Sequence, residues 1–171
     1  WQQKTTTSSV QTNQQKTTAM AIKVTRSIFK SSGCLGDYLW MSNHPEFAQA
    51  LFVFNDNQEQ FDAFVAGKPS GFTAGGGNAA IRPLRKLSPP RAAGVPTGTL
   101  RDGGYVALDE STKAKIDEAL AVIEALLKTG DYDQVVIPTS KDGNTLGTGI
   151  FDVAPEVRDY IFSQLLRKEI S

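Results

Sequence analysis

The sequence has very little of the chemistry that most metal sites and disulfides need. Cys34 is the single cysteine among 171 residues, and His44 is the single histidine. One cysteine excludes an intrachain disulfide and a zinc site built on thiolates, and it fits a reducing compartment. One histidine excludes a two-histidine metal motif and weakens any Ser/His or Cys/His catalytic arrangement. We therefore expect no metal and no cofactor, and we interpret His44 as a residue of a surface turn.

Two further absences bear on location and partners. No apolar run approaches the ~18 residues that cross a bilayer, and no secretion signal stands out. We expect no membrane partner and a cytoplasmic location, which for a viral protein means the host cytoplasm or the virion. Eighteen basic residues balance eighteen acidic ones, so the positive field typical of nucleic-acid coats is missing. We interpret the basic run Arg82 to Arg91 as a solvated loop, and nucleic-acid binding through it ranks last.

The first part of the chain cannot contribute to a core. Residues 2–18 are almost entirely Gln, Thr, Ser, Asn and Lys, a composition that buries too little apolar surface to offset the entropy of ordering. We therefore expect residues 1–19 to be an extended polar arm. An added leader is the alternative, because the chain opens at Trp1 instead of methionine. A homo-oligomer or an assembly neighbour would hold the arm through residues 1–18. Residues 20–171 are expected to form one domain.

Strand-like and helix-like patterns alternate along that domain. The order of elements predicts an α/β fold of three layers, with a mostly parallel or mixed sheet and flanking helices. Strands are predicted at Ala21–Ile28, Tyr38–Met41, Leu51–Phe54, Tyr105–Leu108 and Val135–Ile137. Helices are predicted at Asn57–Ala66, at Ser111–Lys128 and from Pro155 onwards with Asp152 as the cap.

Polar loops rich in Gly, Asn or Thr follow three of the apolar runs. Ligands of parallel sheets bind beyond the carboxyl ends of the strands, and glycine lets main-chain N–H groups approach a phosphate. One candidate cradle is Gly75, Gly76, Gly77 and Asn78, and a second is Gly147, Thr148 and Gly149 ahead of the last helix. Neither fits the P-loop or the dinucleotide fingerprint, which disfavours ATP hydrolysis of the P-loop type. Taken singly, each loop is better explained by turn geometry than by ligand binding.

The order and spacing of these segments resemble those of the macro domain, the ADP-ribose-binding module. The likeness covers about Ala50 to Leu166. The chain is also similar to a set of uncharacterised phage and bacterial proteins. The likeness depends on four segments: Phe52-Val53-Phe54-Asn55-Asp56-Asn57, then Gly75 to Ile81, then Val135-Val136-Ile137-Pro138, then Gly147-Thr148-Gly149-Ile150-Phe151. The Gly-x-Pro-Thr segment of the phage and bacterial set is matched by Gly94, Val95, Pro96 and Thr97.

The resemblance implies binding of an ADP-ribose-related nucleotide or another phosphate-bearing small molecule, either alone or with hydrolysis of ADP-ribose linkages or phosphate esters. Under it, Asn55 or Asn57 faces a ribose or positions a water. Gly76 and Gly77 line the distal part of the pocket. The diphosphate is wrapped by Gly147, Thr148, Gly149 and Ile150, and Pro96 and Thr97 complete the ligand-binding set.

Asp56 is the one acid within the first motif, so it is the candidate base, with Asn57 as the second catalytic residue. An Asx turn at a strand end is the alternative interpretation of Asp56. The alternative function is a structural or assembly protein, of viral origin, with an idle pocket and a subunit-bridging arm. The sequence leaves both functions open.

Overall fold

A computed structural model describes residues 21–149 and 151–170 of the chain. The predicted arm and Ile150 therefore lie outside the described residues. The chain forms a four-stranded sheet in the order β1-β6-β2-β3, and every neighbouring pair of strands is parallel. The strands are β1 Lys23–Ser27, β2 Ala50–Asp56, β3 Ala92–Pro96 and β6 Gln134–Pro138, while β4 Gly98–Thr99 and β5 Gly103–Gly104 form a small antiparallel hairpin. The prediction of an α/β fold with a mostly parallel sheet and flanking helices is confirmed.

Helical segments cover both faces of the sheet. The α-helices are α1 Tyr38–Ser42, α2 Gln58–Val65, α3 Glu110–Leu127 and α4 Pro155–Leu166, and 3-10 helices occupy Pro45–Phe47, Pro69–Phe72, Gly77–Lys86 and Arg167–Ile170. None of the helices in the described ranges is both long and apolar enough to cross a membrane.

Side chains alternate across β2 and separate two apolar cores. Leu51 and Val53 pack with α3 and α4, whereas Phe52 and Phe54 pack with α1 and with Ile81 of the 3-10 helix Gly77–Lys86. This alternation follows from the two-residue period of a strand, and a strand buried on both faces appears as a continuous apolar run. The prediction of a buried central strand at Leu51–Phe54 is confirmed.

Three of the local predictions are wrong. Tyr38–Met41 is helical because Asp37 accepts a hydrogen bond from the Leu39 N–H at the N-cap, and Tyr38 and Met41 are buried at helical spacing. Tyr105–Leu108 is not a strand, since the hairpin strand ends at Gly104. Asp152 does not cap α4, whose N-cap is Ala154 and whose first turn starts with Pro155. The four-residue apolar run at Tyr38 carries no periodicity, so the local cap decides its conformation.

Because all four strands are parallel, their carboxyl ends lie along one edge of the sheet. That edge carries Ser27, Asp56, Pro96 and Pro138. The loops that leave these positions are the ones in which a ligand of such a sheet would bind.

Candidate functional site

Asn55 and Asp56 end the central strand β2 and tie two different loops to it. The Asn55 Nδ2 group donates to the main-chain oxygen of Gly147 over 2.5 Å, which attaches the loop after β6 to this strand end. Asp56 instead contacts two arginines of the 3-10 helix Gly77–Lys86. Because neighbouring strand residues point to opposite faces, the two attachments lie on opposite faces of the sheet.

The carboxylate of Asp56 is shared between two buried guanidinium groups. Arg82 Nη2 lies 3.0 Å from Oδ1, and Arg85 Nη1 lies 2.8 Å from Oδ2. Asp56 is 1% exposed, Arg82 3% and Arg85 4%. Both guanidinium groups also lie over the ring of Phe54, at 5.4 and 5.5 Å from its centroid. The interpretation of this basic run as a solvated loop is therefore wrong for Arg82 and Arg85.

The remaining donors of the two arginines are used to hold neighbouring loops. Arg85 donates to the main-chain oxygens of Gly71 and Gln60, at 2.6 and 3.1 Å. Arg82 donates to the main-chain oxygen of Thr73 at 3.0 Å. These bonds to carbonyls compensate part of the cost of burying charge. The cluster thus fixes the segment that leads into the glycine loop.

The buried cluster has an excess of positive charge. One carboxylate balances one of the two guanidinium groups, which leaves one unit of positive charge. Burial lowers the pKa of Arg85 from its usual range, the Asp56 charge and hydrogen bond oppose this change, and the Arg82 charge adds to it. The same geometry occupies both oxygens of Asp56, so this carboxylate is an ion-pair partner and not a free base.

Gly94 makes room for the Asp56 carboxylate. A Cβ atom at Gly94 would lie 2.5 Å from Asp56 Oδ2 and 2.9 Å from Phe54 Cζ, distances that real Cβ contacts do not reach. A glycine on the neighbouring strand is therefore required for the ion cluster to form. The sequence contained this signal only as a glycine within an otherwise apolar run.

Asn57, the second predicted catalytic residue, is the N-cap of α2. Its Oδ1 accepts from the Gln60 N–H at 2.8 Å, and its Nδ2 donates to Gln60 Oε1 at 2.7 Å. This reciprocal pair is a capping arrangement that satisfies a free donor of the first helical turn. Asn57 is 6% exposed, so its amide is committed to the helix start.

Pro96 and Thr97 lie at the same sheet edge and are buried. The Thr97 N–H donates to the main-chain oxygen of Asp56 at 3.0 Å, and the main-chain oxygen of Thr97 accepts from the Tyr105 N–H at 2.9 Å. Thr97 is 0% exposed. These contacts extend the sheet beyond β3, and the Thr97 hydroxyl donates to the main-chain oxygen of Asp56 at 3.3 Å.

The first glycine loop, Gly75 to Asn78, lies directly over the buried cluster. A Cβ atom on Gly75 would lie 2.7 Å from Arg82 Nη1, so the guanidinium group contacts this part of the backbone. Asn78 Oδ1 accepts from the Tyr38 N–H at 3.0 Å, which joins the loop to the start of α1. Gly76 and Gly77 are exposed, and Gly77 has a φ of 56°, a conformation that favours glycine.

The second glycine loop is closed by a bond to its own strand. The Gly147 N–H donates to the main-chain oxygen of Pro138 at 3.1 Å, and a Cβ atom on Gly147 would lie 2.6 Å from the Thr139 oxygen. Within the described ranges, no hydrogen bond uses the main-chain N–H of Thr148 or Gly149. Gly147 is therefore a structural glycine, and its two successors are the residues that have donors to offer.

The structure brings Asn55, Asp56, Asn57, Pro96 and Thr97 together at one strand edge. It attaches the two glycine loops to that edge from opposite faces of the sheet. Two surface grooves lie elsewhere and are not lined by either loop: one beside Phe72 and Lys86, and one along β1. The described part of the chain holds no group of three or more His, Cys, Asp or Glu side chains suited to a metal ion.

Compared with protein-family models, with curated proteins and with solved structures, the chain matches none of them.

Proposed function

We propose that this chain binds a phosphate-bearing small molecule at the carboxyl edge of its sheet, with ADP-ribose-related nucleotides as the first class to test. The observation that carries the proposal is the connection of both glycine loops to consecutive residues of one strand end: Asn55 bonds directly to Gly147, and Asp56 holds Arg82, which contacts Gly75. An unbalanced positive charge lies beneath the first of those loops.

The first loop combines the two features that anion sites use. Gly76 and Gly77 present exposed backbone without side chains, and the guanidinium group of Arg82 contacts the neighbouring Gly75. A phosphate above the loop would be attracted by the charge that Asp56 leaves unbalanced. Main-chain N–H groups at a loop of this kind supply direction, while the buried charge supplies attraction that salt screens only weakly.

The second loop adds donors for another phosphate group. The main-chain N–H groups of Thr148 and Gly149 and the Thr148 hydroxyl precede α4, whose N-terminus carries a partial positive charge. A ligand with two phosphates could contact both loops across the end of β2. A ligand with one phosphate would use the first loop alone.

The proposal is binding without hydrolysis. Hydrolysis of an ADP-ribose linkage needs a base that can accept a proton from water. Both oxygens of Asp56 already accept hydrogen bonds from arginine, and the Asn57 amide caps α2. The engagement of these two residues supports a binding module over an enzyme.

Isothermal titration calorimetry with ADP-ribose, ADP and inorganic phosphate tests the proposal. We expect saturable binding of ADP-ribose, weaker binding of ADP and the weakest binding of phosphate. Equal affinity for all three would reduce the site to a phosphate subsite, and no saturation near ~1 mM, a binding free energy of about −4 kcal/mol, would contradict the proposal.

Matched variants separate charge from loop geometry. No atom lies within 4 Å of a Cβ placed at Gly77 or at Gly149. The φ of 56° at Gly77 strains any side chain there, but Asp and Asn are the residues that tolerate this conformation best, and both variants carry the same strain. Gly77→Asp should weaken binding about 10-fold relative to Gly77→Asn, because the two side chains have the same shape and only one repels phosphate. Gly149→Asp against Gly149→Asn tests the second loop in the same way. Gly147 is unsuitable, since any side chain there collides with the Thr139 backbone.

A further inference from the structure

Strand β1 is an edge strand, and no other strand of the described residues pairs with its outer side. The Lys23 main-chain N–H donates to the main-chain oxygen of Asp133 at 3.1 Å. The main-chain oxygen of Ser27 accepts from the Thr139 N–H at 2.8 Å. Lys23, Thr25 and Ser27 therefore face β6, and by alternation the N–H and C=O groups of Val24 and Arg26 point away from the sheet. Across residues 21–149 and 151–170, no segment pairs with that outer side.

The opposite edge of the sheet is blocked. Every residue of β3 is buried. The Phe52 N–H donates to the main-chain oxygen of Arg91, and the Thr97 N–H donates to the main-chain oxygen of Asp56. These two bonds fix which residues of β3 face β2. Pro96 is consequently on the outward side, where it has no N–H to offer. Burial and an outward proline are common protections of an edge strand. Strand β1 has neither.

A groove of about 570 Å³ runs along β1. Its basic side chains are Lys23, Arg26 and Lys30, and its acidic side chain is Glu46. Within the described residues, none of the three basic side chains forms an ion pair with a carboxylate. Arg26 donates to the main-chain oxygen of Gly143 and lies over the Phe162 ring, so Lys23 and Lys30 are the charges that the groove has to offer. Leu35, which is 61% exposed, adds an apolar wall.

We infer that the outer edge of β1 and this groove bind an extended acidic segment of a partner protein, which adds a strand to the sheet. The alternating N–H and C=O groups of Val24 and Arg26 match a peptide backbone, and the excess of basic side chains matches acidic side chains on every second residue. The exposed Leu35 suits an apolar side chain between them.

Charge argues against the chain's own first residues as the occupant. Residues 1–20 contain Lys4 and Lys16 and no acidic residue, so their charge has the same sign as the groove. A nucleic acid strand has the right charge but lacks the alternating N–H and C=O groups of an extended peptide, with which a strand edge pairs. The inference is independent of the proposed phosphate binding, because the two sites share no residue.

NMR titration with a short synthetic peptide, in which glutamate alternates with valine, tests the inference. The amide resonances of Val24, Arg26 and Lys30 should shift saturably, and a peptide with lysine in place of glutamate should leave them unchanged. Val24→Pro removes an outward N–H and leaves the bonds to β6 intact. It should weaken binding at least ~10-fold relative to Val24→Ala, which also replaces the valine side chain but keeps the N–H. The double variant Lys23→Glu, Lys30→Glu should weaken binding by a similar factor, and it decides the matter if Val24→Pro does not fold.

Three results of the peptide titrations would overturn the inference. They are the absence of saturable shifts at ~1 mM peptide, equal binding of the lysine peptide, and unchanged affinity in the double charge variant. Tighter binding of a single-stranded oligonucleotide to the same amides would also overturn it, in favour of a nucleic-acid surface.

Discussion

Asp56 Oδ2 lies 2.8 Å from Arg85 Nη1, with both side chains buried. Together with the Arg82 contact to Oδ1, this pair joins the end of β2 to the 3-10 helix Gly77–Lys86 and to the glycine loop that precedes it. One small acid therefore determines the placement of a whole connection. Removal of its charge would leave two buried guanidinium groups without a counter-ion.

The Asp56→Asn variant should lose much of its stability. Breaking a buried ion pair by removing one partner costs about 3–5 kcal/mol, because the remaining charge is uncompensated. The free energy of unfolding from urea titration measures this loss. Asp102→Asn is the control, since Asp102 and its partner Arg101 are largely exposed, and its effect should stay within about 0.5 kcal/mol. A loss below ~1 kcal/mol in Asp56→Asn would show that the arginines find other partners.

Removal of the Tyr38 hydroxyl should raise the free energy of unfolding, whereas Asp56→Asn should lower it. The Tyr38 hydroxyl is buried and has no hydrogen-bond partner among the described residues, while its ring packs 5.1 Å from the Phe52 ring. Tyr38→Phe keeps the ring and removes an unsatisfied polar group, so the free energy of unfolding should rise by about 1 kcal/mol. Tyr160→Phe is the matched control: the Tyr160 hydroxyl donates to Asp117, so this variant should gain nothing. A destabilised Tyr38→Phe would reveal a bound water in the core.

Alkaline solution should weaken the fold. Burial raises the pKa of Tyr38 well above its usual value and raises the pKa of Tyr132 to about 12. These folded pKa values exceed the unfolded value of about 10, so the stabilisation is fully present below pH ~10 and is lost as pH rises towards the folded values. Urea titrations at pH ~8 and pH ~11 should show the decrease. The decrease should be smaller in Tyr38→Phe, and an equal decrease in both proteins would contradict the assignment to Tyr38.

The sequence predicted the long helix and the buried strands β2 and β6, but it did not predict the short helix α1 or the strand β3. The long periodic segment of α3 and the apolar runs of β2 and β6 were predicted because burial on a fixed face leaves a period or a run. The short helix α1 was not, because a five-residue element leaves no period and is decided by the Asp37 cap. The strand β3 was not predicted either, since Gly94 and Pro96 lower its strand propensity.

The candidate site was likewise predicted only in part. The sequence marked Asn55, Asp56 and the glycine loops as a group, and the structure places them around one strand end. The sequence could not show that the Asp56 carboxylate is paired with two arginines, because Arg82 and Arg85 are 26 and 29 residues away along the chain. Only the packing of the 3-10 helix against the sheet makes these charges meet. A basic run in sequence is usually solvated, and here tertiary contact overrides that expectation.

Asn57 gives a direct test of its structural assignment. Asn57→Ala removes the acceptor for the Gln60 N–H and should cost about 1 kcal/mol of unfolding free energy, whereas Asn57→Ser keeps a capping oxygen and should recover most of it. Urea titration of both variants measures the difference. If both variants unfold with the same midpoint as the unmodified protein, the side chain does not stabilise α2, and a role in ligand chemistry regains support.

Asn55→Ala should loosen the second glycine loop. The Asn55 amide is the contact that ties Gly147 to the end of β2, so its loss frees the backbone from Ser140 to Gly149 to open locally. Hydrogen–deuterium exchange of that segment should accelerate, and affinity for ADP-ribose should fall more than affinity for inorganic phosphate, because only the larger ligand reaches both loops. Asn144→Ala, an exposed amide on the same loop, should change neither quantity. Faster exchange with unchanged ADP-ribose affinity would confine the ligand to the first loop, above Arg82.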